Sequence, residues 1–195
     1  VIFDLGGVLI DVYWDKVCGP FGRLSGLDQD SIRWEVTGST LVSSFMQGKI
    51  GPSEFHQELC AALGMKLAFQ EFAGLWTGIF TLNEGIVPLV MDLGASHRLA
   101  LGSNTDPLHF RYARRHCDVL QQFDHFFLSY EMGILKPEPA FFLAVLRHLD
   151  IEAAGCILID DRADNVRSAR SVGINAVRFE GNEKLRTDLA ALLRP

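Results

Sequence analysis

Short apolar runs that end abruptly in polar residues recur along the chain. Val1 to Phe3 stops at Asp4 and Gly6-Gly7, and the strand-like stretch Arg98 to Gly102 leads into Ser103-Asn104. Phe126 to Leu128 is another run, Cys156 to Ile159 stops at Asp160-Asp161, and Ile174 to Val177 is the last. Segments of helical period lie between them. Pro139 to Leu149 carries Phe141, Phe142, Val145, Leu146 and Leu149 on one face, the spacing of an amphipathic helix. Ala163 to Val172 reads as a helix closed by Gly173, because glycine accepts the left-handed turn that ends a helix. Asp106-Pro107 reads as the N-cap and first residue of another,. Continuous apolar strands alternating with helices predict an α/β fold, a parallel sheet covered on both faces.

Residues from about 13 to 81 break that rhythm. They hold Trp14, Trp34 and Trp76, and two stretches within them, Ser31 to Met46 and Ser53 to Leu63, have helical character, the second with Pro52 at its start,. A segment of this length is too long for a plain loop. The expected organisation is therefore an α/β core of residues 1–12 and 82–195 with an all-helical insert, 13–81, read as a lid. The tryptophans are expected to form the small core of the insert, with Trp14 or Trp76 as candidates for a pocket wall. Gly78 and the stretch from Asp11 to Tyr13 are the candidate hinges.

Composition narrows the classes of function. The 195 residues are 48% hydrophobic and 22% charged, enough for an ordinary core. Eighteen Lys and Arg stand against 24 Asp and Glu, a net charge of -6, which argues against a dedicated nucleic-acid binder. The longest apolar run, Ala140 to Leu146, is too short to span a bilayer. Cys18, Cys60, Cys117 and Cys156 make no C-x-x-C pair; a reduced, cytoplasmic setting is expected. No basic segment precedes Val1, so no signal peptide is read; with no initiator Met, the question of a removed leader stays open. A monomer or weak dimer is expected, without a nucleic-acid or membrane partner.

The conspicuous polar residues all follow apolar strands: Asp4, Ser103-Asn104, Lys136 in the loop after the third strand, and Asp160-Asp161. Open α/β sheets bind ligands at that carboxyl edge. Carboxylates gathered there would repel one another without a cation. Mg²⁺ suits them, since it takes oxygen ligands and commonly keeps one or two carboxylates beside a phosphate oxygen and waters. Ser103 and Lys136 would supply the donors for a phosphate. The histidines show no zinc-binding spacing,, and Arg111, Arg114 and Arg115 read as a solvated helix face.

The stretch Asp4-Leu5-Gly6-Gly7-Val8-Leu9-Ile10-Asp11, with Ser103-Asn104, Lys136-Pro137 and Asp160-Asp161-Arg162-Ala163-Asp164-Asn165, resembles the four motifs of the haloacid dehalogenase-like hydrolases. The helical insert lies where that family places its C1 cap. The resemblance spans the chain. It implies a Rossmann-like core and a phosphatase in which Asp4 is the nucleophile and an aspartyl-phosphate forms. Asp4, the Gly6 carbonyl and Asp161, with Asp160 close by, would hold Mg²⁺. Ser103 and Lys136 would bind the phosphoryl group, and Asn104 and Asn165 would be polar supports. The expected substrate is a small phosphorylated metabolite, plausible as a sugar phosphate.

One position departs from the pattern. Most phosphatases that the chain resembles carry a second Asp two residues after the nucleophile, where this chain has Gly6. A positioned acid/base is worth about 10²–10⁴ in rate, so Asp11, His56 and His109 are the candidate substitutes. Gly6 is also compatible with a metal-independent 2-haloacid dehalogenase and with a phosphate-ligand-binding protein that has lost turnover. Asp160-Asp161 opposes the first of these, because added acids would oppose an anionic haloacid. The retained Asp4, Lys136 and Asp161 oppose the second.

Overall fold

The computed structural model describes residues 1–193. Five parallel strands make the main sheet: β1 (Ile2–Phe3), β4 (Ala100–Ser103), β5 (His125–Leu128), β6 (Ile157–Asp160) and β7 (Asn175–Arg178), in the order β5-β4-β1-β6-β7. Alternating side chains feed two cores. Phe3, Leu101, Ile159 and Val177 enter one; Ile2, Ala100, Leu158 and Ala176 enter the other. Helices α6 (Val87–Gly94), α7 (Pro107–His116) and α11 (Asn182–Leu192) contribute to the first, and α9 (Pro139–Leu149) and α10 (Ala163–Ser171) to the second. Both faces are dry, which is why the strands read as unbroken apolar runs. The chain lays down β1, β4 and β5 to one side, then crosses back to place β6 and β7 on the other. That reversal puts a crevice at the carboxyl end of β1.

The insert hangs from a two-stranded antiparallel ribbon, β2 (Ile10–Val12) and β3 (Phe80–Leu82), with Asp11 opposite Thr81. Five helices lie between: α1 (Asp15–Ser25), α2 (Gln29–Gly38), α3 (Thr40–Met46), α4 (Pro52–Ala62) and α5 (Phe69–Thr77). The stretch 31–46 is two helices and not one. Ser39 is extended (φ -71°, ψ 155°), donates its hydroxyl to the Glu35 carbonyl and accepts the Val42 N–H, so it caps the second helix and ends the first. The insert has its own core, in which Phe45, Phe55, Phe72 and Trp76 are fully buried. Trp34 differs from expectation: its side chain is 62% exposed, because α2 turns Ile32 and Val36 inward instead.

A buried polar junction joins insert to core. Asp106, 0% exposed at the N-cap of α7, accepts the N–H groups of Leu108 and His109 on Oδ1 and the Trp76 indole on Oδ2. His109 Nδ1 lies 2.7 Å from Asp106 Oδ2, and His109 Nε2 lies 2.8 Å from the Trp76 carbonyl. Burial alone would raise the Asp106 pKa, but the His109 ring and these hydrogen bonds outweigh it and hold the carboxyl below its ordinary value,. Trp76 stacks on His109 at 4.9 Å. Its indole is part of this junction and does not line the pocket wall proposed for it.

Asp106→Ala would strand the His109 ring, the indole and two backbone N–H groups. The expected loss is about 3–5 kcal/mol, or roughly a 10 °C drop in Tm for a chain of this size. Thermal unfolding checks it, with Trp34→Ala as the exposed control expected within about 0.5 kcal/mol of the parent; equal Tm values for the two variants would contradict the junction.

Candidate active site

The carboxyl ends of β1, β4 and β6 face one cavity of about 700 Å³. Asp4 directly follows β1, and its N–H donates to the Ile159 carbonyl of β6. Ser103 is the last residue of β4, buried and lining the cavity. Asp160 ends β6, and Asp161 follows at the cavity wall. Lys136 arrives on the loop between the short helix α8 (Ser129–Met132) and α9. Asn104 fixes that loop by accepting the Lys136 N–H (2.8 Å) and donating to the Lys136 carbonyl (2.7 Å).

The ammonium of Lys136 is 2.6 Å from Asp160 Oδ2 and 3.1 Å from Asp4 Oδ1. Asp4 Oδ1 also accepts the Leu5 N–H at 2.7 Å, which leaves Oδ2 as the less engaged oxygen. Asn165 donates its amide to both oxygens of Asp160 (2.9 and 3.0 Å), so Asp160 is held from two sides. One carboxylate oxygen each of Asp4, Asp160 and Asp161 falls within a mutual 4.8 Å. Three carboxylates against one ammonium leave an excess of two negative charges when all are ionised.

The protonation behaviour follows from burial together with that imbalance,. Burial pushes Asp4 up to about 7, the Asp160 charge adds to the rise, and Lys136 and the Leu5 N–H oppose it. Burial, then Asp160, raises Asp161. For Lys136, burial would lower the pKa, but Asp4 and Asp160 outweigh it and hold the amine above its ordinary value, so it is an ammonium.

These residues fit a divalent metal with oxygen ligands. A β-carbon at Gly7, whose φ is +75°, would lie 2.5 Å from Asp161 Oδ2; the glycine leaves room for that carboxylate beside the loop after β1. Asn165 Oδ1, next to the acids, is buried and has no hydrogen-bond donor, a lone pair free for a metal-bound water. Gly6 also lines the cavity. A β-carbon there would meet Val12 Cγ2 of β2 at 3.4 Å, an ordinary van der Waals contact, so the ribbon lies beside the place where a second carboxylate would start.

Of the candidate replacements for that carboxylate, two do not serve. His56 points its Nε2 at the Leu67 carbonyl inside the insert and is absent from the cavity wall. His109 lines the cavity, but Asp106 and the Trp76 carbonyl occupy both ring nitrogens. Asp11 stands exposed on the cavity rim. The outer wall adds Tyr13, Trp14, Met46 and Phe80. Of these only Trp14 had a sequence signal; Met46 and Phe80 face the site because of how the insert folds.

Comparison with known proteins supports the same picture. The family model for haloacid dehalogenase-like hydrolases matches residues 1–173. D-ribitol-5-phosphate phosphatase of Bacteroides thetaiotaomicron is 24% identical, over 99% of this chain and 97% of its own. A sesquiterpene phosphatase of Aspergillus oryzae is 29% identical, over 89% and 85%. Among solved structures, a HAD family enzyme from Bacteroides thetaiotaomicron in complex with magnesium and inorganic phosphate superposes with a TM-score of 0.85 at 24% identity, covering 99% of this chain and 98% of that one. With four motifs converging on one acidic crevice and a family model matched across most of its length, this chain belongs to the haloacid dehalogenase-like hydrolases.

Proposed function

We propose that the protein is a Mg²⁺-dependent phosphatase that hydrolyses a small phosphomonoester, a sugar phosphate among the candidates, through an aspartyl-phosphate on Asp4. The observation that carries this reading is the buried Asp4 at the end of the central strand, 3.1 Å from the Lys136 ammonium and grouped with Asp160 and Asp161. Asp4, the Gly6 carbonyl and Asp161, with Asp160 alongside, would hold Mg²⁺. When bound, the metal neutralises charge on the acids and on the phosphoryl oxygens.

The protein groups do the rest. Lys136 and the Leu5 N–H restrain the Asp4 carboxylate through Oδ1, which orients it so that one oxygen attacks phosphorus while the other would face the metal. Attack forms the Asp4–phosphorus bond and breaks the bond to the leaving oxygen. Ser103 and the remaining N–H of Lys136 donate to the equatorial oxygens, where charge accumulates in the transition state. Water then hydrolyses the aspartyl-phosphate and frees Asp4. The helical insert, residues 13–81, acts as the cap that closes the outer cavity and chooses the leaving group.

The haloacid reading has less support, because Asp160 and Asp161 add negative charge beside the nucleophile where an anionic substrate would sit. A binding protein without turnover would gain nothing from a buried, restrained nucleophile. No helix among the described residues is long and apolar enough to cross a membrane. All four cysteines are free and buried, which supports placing the protein in the reducing cytoplasm.

Asp4→Asn is expected to lower Mg²⁺-dependent release of phosphate from a phosphomonoester panel by at least about 10³-fold; turnover within tenfold of the parent refutes the nucleophile. Chelation by EDTA is expected to abolish turnover, and Mg²⁺ to restore it.

Metal should also act on stability in a pH-dependent way. In the metal-free protein Asp4 titrates near 7, above its unfolded value, so the folded state holds a proton that the unfolded chain has lost. The resulting penalty is absent at low pH and builds as pH rises through that window. Mg²⁺ binds the deprotonated acids. The Tm increment on adding Mg²⁺ is therefore expected to be larger at pH 8 than at pH 5.5; equal increments would contradict it.

A further inference from the structure

We propose that Asn83 is a positioning residue for the metal site: it pins the loop between β1 and β2 so that the Gly6 carbonyl is left free on the cavity wall. The inference rests on the reading in which Gly6 and the acids hold Mg²⁺, and adds to it a residue from the far end of the insert.

The loop after β1 carries Gly6 and Gly7 along the cavity wall, and most of its carbonyls are engaged. Leu5 accepts the Leu9 and Ile10 N–H groups at 2.9 and 3.0 Å, and Ile10 accepts the Gly7 N–H at 2.8 Å. Asn83 takes the next two. Its side-chain amide donates to the Val8 carbonyl at 2.9 Å, and its backbone N–H donates to the Leu9 carbonyl at 2.9 Å. Among the described residues no donor reaches the carbonyls of Gly6 and Gly7. Asn83 directly follows β3 and stands 75 residues along the chain from Val8. One side chain thus ties the returning strand of the ribbon to the loop beside Asp161.

A carbonyl can only accept, so the Asn83 amide must turn its NH₂ toward Val8. Asn182, at the start of α11, holds it that way. The Asn182 amide donates to Asn83 Oδ1 at 2.9 Å, and its own Oδ1 accepts from Asn83 Nδ2 at 3.2 Å. Gly85 leaves room for this pair, since a side chain there would collide with the Asn182 amide. Val8 is 0% exposed, so water does not replace the Asn83 donor. Without that donor the buried carbonyl would turn to find another. Gly7 is next in the chain, and it passes so close to Asp161 that only a glycine fits. Turning the Val8 peptide therefore moves the glycines against an acid that would share the metal. Removing a group that orients a metal ligand typically costs about 10–100-fold in affinity.

The test is calorimetric titration of Mg²⁺ into the metal-free full chain, which requires no turnover. Asn83→Ala removes the donor to Val8. Asn182→Ala removes the other half of the same amide pair and leaves that donor in place, so damage of a merely structural kind falls on both. The expected Kd for Mg²⁺ is about 10–100-fold above the parent's in Asn83→Ala and within about threefold of it in Asn182→Ala. Asn83→Leu, similar in shape but without the donor, is expected to weaken binding as the alanine does, and stands in for it if the alanine variant does not fold. A Kd within about threefold of the parent's in an Asn83 variant that folds, or equal weakening in Asn83→Ala and Asn182→Ala, overturns the inference. If the parent itself binds no Mg²⁺, the metal reading fails and the inference with it. If the parent binds Mg²⁺ but hydrolyses no phosphomonoester, the phosphatase reading fails alone, and the Kd values still decide the role of Asn83.

Discussion

Between the carboxylates of Asp4 and Asp160 sits the ammonium of Lys136, at 3.1 and 2.6 Å, and the rest of the site is arranged around that contact. Three short strands deliver their carboxyl ends to one crevice, so acids that the sheet places side by side must share a buried environment. One ammonium cannot balance three carboxylates. Burial first, and the neighbouring Asp160 charge second, raise Asp4 and Asp161, and the uncompensated acids create the affinity for a divalent cation. Buried, unbalanced charge is thus the basis of the proposed chemistry, and the reciprocal hydrogen bonds between the Asn104 amide and the Lys136 backbone keep the balancing residue in register.

The insert depends on a second buried charge arrangement. Asp106 and His109 on α7 grip Trp76 through its indole and its carbonyl, while the β2–β3 ribbon ties the other side. A loop residue of the insert, Gly48 (φ +67°), lies so close to the Tyr130 carbonyl that any side chain there would collide with it. These contacts set how the aromatic wall of Trp14 and Phe80 stands over the acidic crevice. Position of the wall, and not only its composition, decides what leaving group fits.

Much of the core was legible because its signals are local. A parallel strand buried on both faces reads as an apolar run, and the polar residue that ends it marks the functional edge; Asp4, Ser103 and Asp160 were found that way. The α9 helix, Pro139–Leu149, showed both its proline start and its apolar face. Elsewhere the determinants are non-local. The strands β2 and β3 have three residues each, too few for a periodic pattern, and their pairing spans the whole insert. Helix α1 contains Gly19, Pro20 and Gly22, which masked its helical character. The break at Ser39 depends on a cap that a continuous hydrophobic period hides. His109 drew attention as a lone polar residue, yet its ring partners Asp106 and Trp76 lie three and 33 residues away in sequence, and only the fold shows that they consume its hydrogen-bonding capacity.

The proposed catalysis turns on a phosphorus bond to one buried carboxylate. Rapid acid quench during turnover of a ³²P-labelled phosphomonoester with Mg²⁺, followed by peptide mapping, tests it most directly. The label is expected on the N-terminal peptide at Asp4, appearing at least as fast as phosphate is released. Steady hydrolysis with no acid-stable label on the protein, or a label mapped to another residue, would contradict it.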